Sequence, residues 1–308
     1  MLGATLLAVA AVLTNDSVVF VETTSAAVLR VVTLPAPAVA LFAAPDGRVL
    51  LPLAGSDETA VVSPVGPTER WPGRVFPMFF DEIDRMHVLF PELLLVMSYP
   101  ERLPILRVPV AGVPAPWRAA CSSNGLLVAV CPPPGERRVV LVVSEPGAEQ
   151  REARLAGEPR IVVMAPAGNW VALGFEDAVE IVFPGEPGGR GRIPVRAGVR
   201  SLAVVGEGRD LLVGVGDGNR GALVTLRVGA KVEAGAKERD ELHLSGAVSS
   251  IAAAGEEVVV VAGESLVVLA KKGRQILHEL PLPGARQVAL LPARPESAAP
   301  LWNERQTP

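Results

Sequence analysis

Short apolar runs alternate with polar turns along the whole chain, and a unit of apolar run, turn and second apolar run recurs seven times. The units begin near Ala38, Val75, Trp117, Arg160, Val199, Val248 and Arg286, so successive starts lie 37, 42, 43, 39, 49 and 38 residues apart. That period is the length of one four-stranded propeller blade. Lettering strands A to D outward, the pattern predicts a second blade at Ala38–Ala43, Arg48–Ala54, Thr59–Pro64 and a weak strand near Glu69–Trp71. The third takes Val75–Phe80, Arg85–Phe90, Leu93–Tyr99 and Pro104–Val110. The fourth takes Trp117–Cys121, Leu126–Cys131, Arg138–Ser144 and Arg151–Ala156, and the fifth Arg160–Ala165, Trp170–Phe175, Ala178–Phe183 and Arg190–Arg196. Val199–Val205, Asp210–Gly216, Gly221–Gly229 and Arg239–Ser245 form the sixth. Val248–Ala254, Glu257–Ala262, Ser265–Ala270 and Gln275–Pro281 form the seventh.

The ends of the chain complete the count. Thr5–Val12, Ser17–Glu22 and Ala27–Leu34 are three strands with no inner strand before them, and Arg286–Pro292 is an inner strand with nothing after it. Three plus one makes a closing blade that zips the termini together and leaves no orphan edges. The expectation is an all-β, seven-bladed propeller over residues 1–294, followed by a flexible tail over 295–308. It requires the first residues to stay in place. Leu2–Leu13 is apolar enough to resemble a secretory signal, but no Lys or Arg precedes it, which favours the strand. Cleavage there would make the protein an exported one.

Strand composition agrees. Val139–Val143 and Val258–Val261 are unbroken apolar runs, as expected of strands covered on both faces, and Asp-Gly, Asn-Gly and Pro-Gly mark the turns. No amphipathic helix of ten residues separates the strands, which excludes a parallel α/β fold. The Ala44-Pro45-Asp46-Gly47 turn, the strand Arg48-Val49-Leu50-Leu51 after it and the recurrence of that unit resemble WD-repeat-like and Tyr-Val-Thr-Asn-type propellers. The Gly-His and Trp-Asp pairs and the Tyr-Val-Thr-Asn string are absent. The resemblance therefore implies a fold and carries over no activity.

Composition narrows the function classes. The net charge is −4 and only four of 29 basic residues are lysines, which argues against a nucleic-acid binder. No segment offers about 20 unbroken apolar residues, so no membrane span is expected. Two cysteines cannot form a disulfide framework. If Cys121 pairs with Leu126 across the hairpin, Cys131 lies five positions further along, so two buried free thiols and a reducing, cytoplasmic location are expected.

Chemistry is sparsely signalled. The B–C turns place Asp16, Asp57, Glu58, Glu92, Glu136, Glu176, Asp177, Asp217 with Arg220, and Glu264 on one face, at least one carboxylate per blade. That ring could attract a basic partner, although hairpin turns favour such residues for steric reasons alone. Arg118, Arg160, Arg200 and Arg286 stand near the starts of A strands and could bind an anion at the channel mouth. The A–B turn Asp81–Arg85, with His87 near, matches no calcium loop and reads as a solvated turn. Gly214–Asn219 lacks the helix that a phosphate loop needs. Lys271–Arg274 and Ala230–Glu241 are charged C–D loops, and Arg190, Arg192 and Arg196 read as edge protection. Three histidines are too few for a multi-histidine metal site, and no cofactor is expected. The reading is a non-catalytic protein-interaction scaffold within a larger assembly. The alternative is a lactonase- or quinoprotein-like enzyme, or an anion binder, using the channel.

Overall fold

The computed structural model describes residues 7–90, 92–110, 118–131, 135–145, 150–185, 190–195, 198–205, 207–229, 236–270 and 273–294. The tail from 295, residues 1–6, Trp117, Arg196, Lys271 and Lys272 lie outside them. All regular structure among the described residues is β, in seven four-stranded antiparallel sheets.

The closing blade is β1 (Leu7–Leu13), β2 (Ser17–Glu22) and β3 (Ala27–Thr33), with β28 (Gln287–Arg294) as its inner strand, in the order β28-β1-β2-β3. Leu13 pairs with Val18 on one side and Gln287 on the other. Blade 2 is β4 (Phe42–Ala43), β5 (Val49–Pro52), β6 (Glu58–Val62) and β7 (Glu69–Pro72). Blade 3 is β8 (Pro77–Phe80), β9 (Met86–Phe90), β10 (Leu93–Met97) and β11 (Pro104–Pro109). Blade 4 comprises β12 (Arg118–Cys121), β13 (Leu127–Cys131), β14 (Arg138–Val143) and β15 (Arg151–Arg154). Blade 5 comprises β16 (Ile161–Met164), β17 (Val171–Gly174), β18 (Ala178–Val182) and β19 (Arg190–Pro194). β20 (Val199–Val205), β21 (Asp210–Asp217), β22 (Arg220–Val228) and β23 (Ala236–Leu244) form blade 6. β24 (Val248–Ala254), β25 (Glu257–Ala262), β26 (Ser265–Ala270) and β27 (Gln275–Pro281) form blade 7.

Each blade is apolar on both faces, so the core is divided among the seams between blades. Val258, Val260 and Val267 pack toward Leu212 and Leu223 of blade 6, while Val259, Val261 and Leu266 face Ala10, Val12 and Val19 of blade 1. This alternation is why the valine runs carry no polar positions. Where two sheets meet most closely, glycine is obligatory: a Cβ on Gly221 would stand 2.0 Å from the Gly246 carbonyl oxygen. The seam between blades 2 and 3 has the fewest aliphatics. There Leu50, Val61, Met86 and Val88 are supplemented by Trp71, Phe80 and Tyr99.

Three sequence expectations change. Residues 236–241, expected within the charged C–D loop Ala230–Glu241, open the outer strand β23 instead, and 230–235 lie outside the described residues. The inner strand expected at Ala38–Ala43 shrinks to Phe42–Ala43 with one bridge between Ala38 and Leu53. Pro52 accepts from Val39 N at 2.8 Å but has no N–H to return to the inner strand, and Leu41 N donates to Gln287 Oε1 at 2.9 Å. In blade 4, Cys121 pairs with Val128 and Cys131 with Arg118, not Cys121 with Leu126, because Ser122–Gly125 closes a longer turn held by Ser122 N to Leu127 O. The cysteines remain three positions apart in register and both are free.

Candidate functional site

The face bearing the B–C turns also bears the starts of the inner strands, so the carboxylates and the channel arginines share one end of the ring. Four of the carboxylates are paired there, one with Arg160 and three with arginines of strands farther from the channel. Arg160 pairs with Glu176 at 2.9 Å, Arg192 with Asp177 at 2.9 Å, Arg138 with Glu136 at 2.6 Å, and Arg70 with Glu58 at 3.5 Å. Asp57 accepts from the backbone N–H of Arg74, and Asp16 from the Thr14 hydroxyl. Asp217 faces Arg220 across the tip of its hairpin. Glu92 and Glu264 stand exposed in their turns.

The other arginines act as fasteners between backbones. Arg286 donates to the carbonyls of Thr14 and of Ala38 in the next blade, at 3.0 and 2.7 Å. Arg118 donates to Pro159 O and Arg200 to Gly216 O, each at 3.3 Å. Each is therefore directed into the rim of the ring. Arg190 likewise reaches the buried Glu180 at 3.7 Å, between blades 4 and 5.

The opposite face, formed by the A–B turns, holds the arrangement that the sequence reading missed. Asp81 was expected to be solvated, yet its side chain is 1% exposed. Its Oδ1 accepts from the backbone of Ile83 and Arg85, and its Oδ2 from Arg85 Nε at 2.7 Å and from His87 Nε2 at 3.0 Å. An ionised carboxylate can only accept, so His87 carries its proton on Nε2 and leaves buried Nδ1 without a partner. Phe79 covers the imidazole at 4.5 Å, and Gly125 of the next blade fits only because it has no Cβ. Successive A–B turns are then linked blade to blade by Glu82 N to Ser123 O, Ser123 N to Pro166 O, and Trp170 Nε1 to Gly208 O.

The pair titrates in a definite direction. Burial lowers the His87 pKa and outweighs the pull of Asp81. Burial raises that of Asp81, but the bonds from His87 and Arg85 prevail and hold it below the usual range. Both folded values lie below their unfolded ones, so the unfolded state binds more protons and acid removes stability. The His87 contribution is full above about pH 6.5 and is lost as pH falls through its depressed folded value; the Asp81 contribution follows below about pH 4. The thermal midpoint of the wild type should therefore fall between pH 7 and 5, and that fall should shrink in His87→Gln. Equal slopes would contradict the assignment.

An opening in the ring lies on this same face. A cavity of about 510 Å³ is lined by Leu41 to Pro45, Pro77 to Asp81, Asp84, Leu290 and Pro292, at the ends of β4, β8 and β28. Beside it, Arg48 lies over both Trp71 (5.9 Å) and Tyr99 (5.7 Å) while paired with Asp46, and Tyr99 donates to Asp46 at 2.9 Å. Arg102 covers the other flank of Trp71 at 4.9 Å. This aromatic–cation cluster replaces the missing aliphatics of the seam.

Neither thiol is placed for chemistry. Burial raises the pKa of Cys121 and pushes that of Cys131 up to about 12, so neither supplies thiolate at neutral pH. Both were expected to be buried; Cys131 is, whereas Cys121 is half-buried. A thiol reagent should therefore reach Cys121 slowly and leave Cys131 unlabelled in the native protein, and label both after unfolding; rapid native labelling of Cys131 would contradict its burial. Among the described residues no three His, Cys, Asp or Glu side chains gather as a metal site requires. His243 is exposed on β23, and His278 Nε2 meets Thr24 O at 2.9 Å. Gly214 to Asn219 spans the end of β21 and its hairpin, with no helix after it. No helix among the described residues is long and apolar enough to cross a membrane.

No family model matches the chain, and no curated protein matches its sequence. Solved structures do match its shape. A functionally unknown protein from Desulfotomaculum acetoxidans has a TM-score of 0.72 at 11% identity, with 93% of this chain and 99% of that one covered. Apo AztD from Citrobacter koseri has a TM-score of 0.70 at 12% identity, covering 94% and 99%. A putative 6-phosphogluconolactonase from Bacteroides uniformis has a TM-score of 0.64 at 12% identity, covering 92% and 99%. At such identities the likeness is one of fold: the chain is a seven-bladed β-propeller.

Proposed function

We propose that this propeller, a relative of the WD-repeat-like kind, is a non-catalytic interaction module that docks a protein partner and serves as one subunit of an assembly. The observation that carries the reading is an asymmetry among the outer strands. In blades 4, 5 and 6 these read Arg-Glu-Ala-Arg, Arg-Gly-Arg-Ile-Pro and Ala-Lys-Glu-Arg-Asp-Glu-Leu-His-Leu, charged as exposed edges normally are. In blades 7 and 1, which adjoin, they expose Ile276, Leu277, Val28, Leu29 and Val31, the last 57% exposed.

Arg30, the one charge on β3, is turned away to the carbonyls of Ser63 and Gly66 in blade 2. The bond from His278 to Thr24 ties the outer edges of the two blades together. Clustered exposed aliphatics of this kind mark association surfaces. Val31→Glu with Leu277→Glu changes only exposed positions, so the fold should survive. A companion held in fixed ratio by the wild type and lost from the double variant is the expected result. A companion retained by the variant would move the docking surface elsewhere on the ring.

The rival reading, a channel enzyme or anion binder, draws on Arg118, Arg160, Arg200 and Arg286. Each of them already has an acceptor within the rim, and anion binding would have to compete with it.

A further inference from the structure

The cavity at the A–B end of the channel has a composition that the acidic ring and the arginines do not share. It exists because β4 has only two ladder residues and β8 carries a register shift between Pro77 and Phe79. The inner walls of blades 2 and 3 thus part beside β28. Its volume of about 510 Å³ falls within the range of small-molecule sites. Phe42, Phe79 and Phe80 line it together with Met78 and Leu290, and no basic residue does.

The lining is held in position before anything binds. Phe79 rests against His87, Phe80 meets the edge of Tyr99 at 5.1 Å, and Gln287 fixes the backbone of Leu41. Two carboxylates border the cavity, and they differ. Asp81 is saturated by Ile83, Arg85 and His87. Asp84 is exposed, sits at φ 61 in the turn, and among the described residues no hydrogen bond or cation reaches its carboxylate. An open hollow with a mainly apolar lining and, at its rim, one carboxylate that no described cation meets is complementary to a single positive charge on an apolar body. The charge would meet Asp84, and the body would displace water from the apolar part of the lining.

We propose that this channel mouth is a binding site for a small organic cation of the arylalkylammonium type, with Asp84 as its counter-ion. The site is independent of the outer-edge docking surface and lies at the end of the channel away from the arginines. Calorimetric titration of the full chain with 2-phenylethylammonium, 2-phenylethanol and 3-phenylpropanoate separates charge from shape. The cation should bind roughly tenfold more tightly than the neutral alcohol, and the anion weakest.

Asp84→Asn, which suits the left-handed backbone, should bring the cation down to the level of the alcohol and leave the alcohol unchanged. Met78→Trp, shown to be folded by its thermal midpoint, should fill the hollow and remove binding of all three. Equal affinities, a cation preference that survives Asp84→Asn, binding undiminished in Met78→Trp, or no saturable binding of the cation would each overturn the proposal.

Discussion

Deleting residues 1–13 should abolish soluble, folded protein. The segment carries β1, the one strand that joins β28 to β2, and both of its ladders run through Ala10 to Leu13. Those four side chains are 0% exposed. Val12 faces blade 7 and Leu13 faces blade 2, so both neighbouring seams lose core at once. Burial of Val12 and Leu13 alone contributes about 1.5–3 kcal/mol each. The deletion also strands the ladder groups of β28 and β2 without partners. Together these losses consume most of a typical net stability of about 5–15 kcal/mol. Soluble yield and the thermal midpoint read the effect, and a soluble deletion melting with the wild type would contradict closure through β1.

Trp170→Ala should be the most damaging single substitution among the fasteners of the A–B face. Trp170 is 1% exposed in the core between blades 5 and 6. Its indole N–H donates to Gly208 O at 2.9 Å in the neighbouring turn. Truncation leaves a large void and an unpaired carbonyl, at a cost of about 3–5 kcal/mol. Trp170→Phe keeps much of the ring and removes the donor, so about 1 kcal/mol should separate it from the wild type beyond the packing loss. Denaturant unfolding of both variants checks the ordering; an alanine variant as stable as the phenylalanine variant would mean that the seam repacks around the void.

The architecture was legible because its signals are local. Val248–Ala254, Glu257–Ala262, Ser265–Ala270 and Gln275–Pro281 occur as strands with the bounds that their apolar runs mark. The closure follows from counting strands at the two ends. The inner strand of blade 2 is shorter than its apolar run because Pro52, on the partner strand, accepts from Val39 N but cannot donate in return. The site was less legible because its contacts join residues of different turns. Glu176 and Asp177 read as free acids until the fold brings Arg160 and Arg192 to them.

Asp81 did leave a trace in His87, a lone polar residue in Met86–Phe90. A buried histidine in such a strand needs a partner, and the preceding turn is the nearest source of one. The cavity left none. It arises where β4 is short and β8 shifts register between Pro77 and Phe79, and its lining is brought together from three blades that are separate in sequence.

The central claim is that this propeller works by holding a partner. Its most direct test is native mass spectrometry of the tagged protein purified from its own cells. The expected spectrum shows the chain in a complex of fixed stoichiometry with a second protein. The chain alone, or the chain with only a small anion bound, would contradict the interaction module and favour a channel that acts on small molecules.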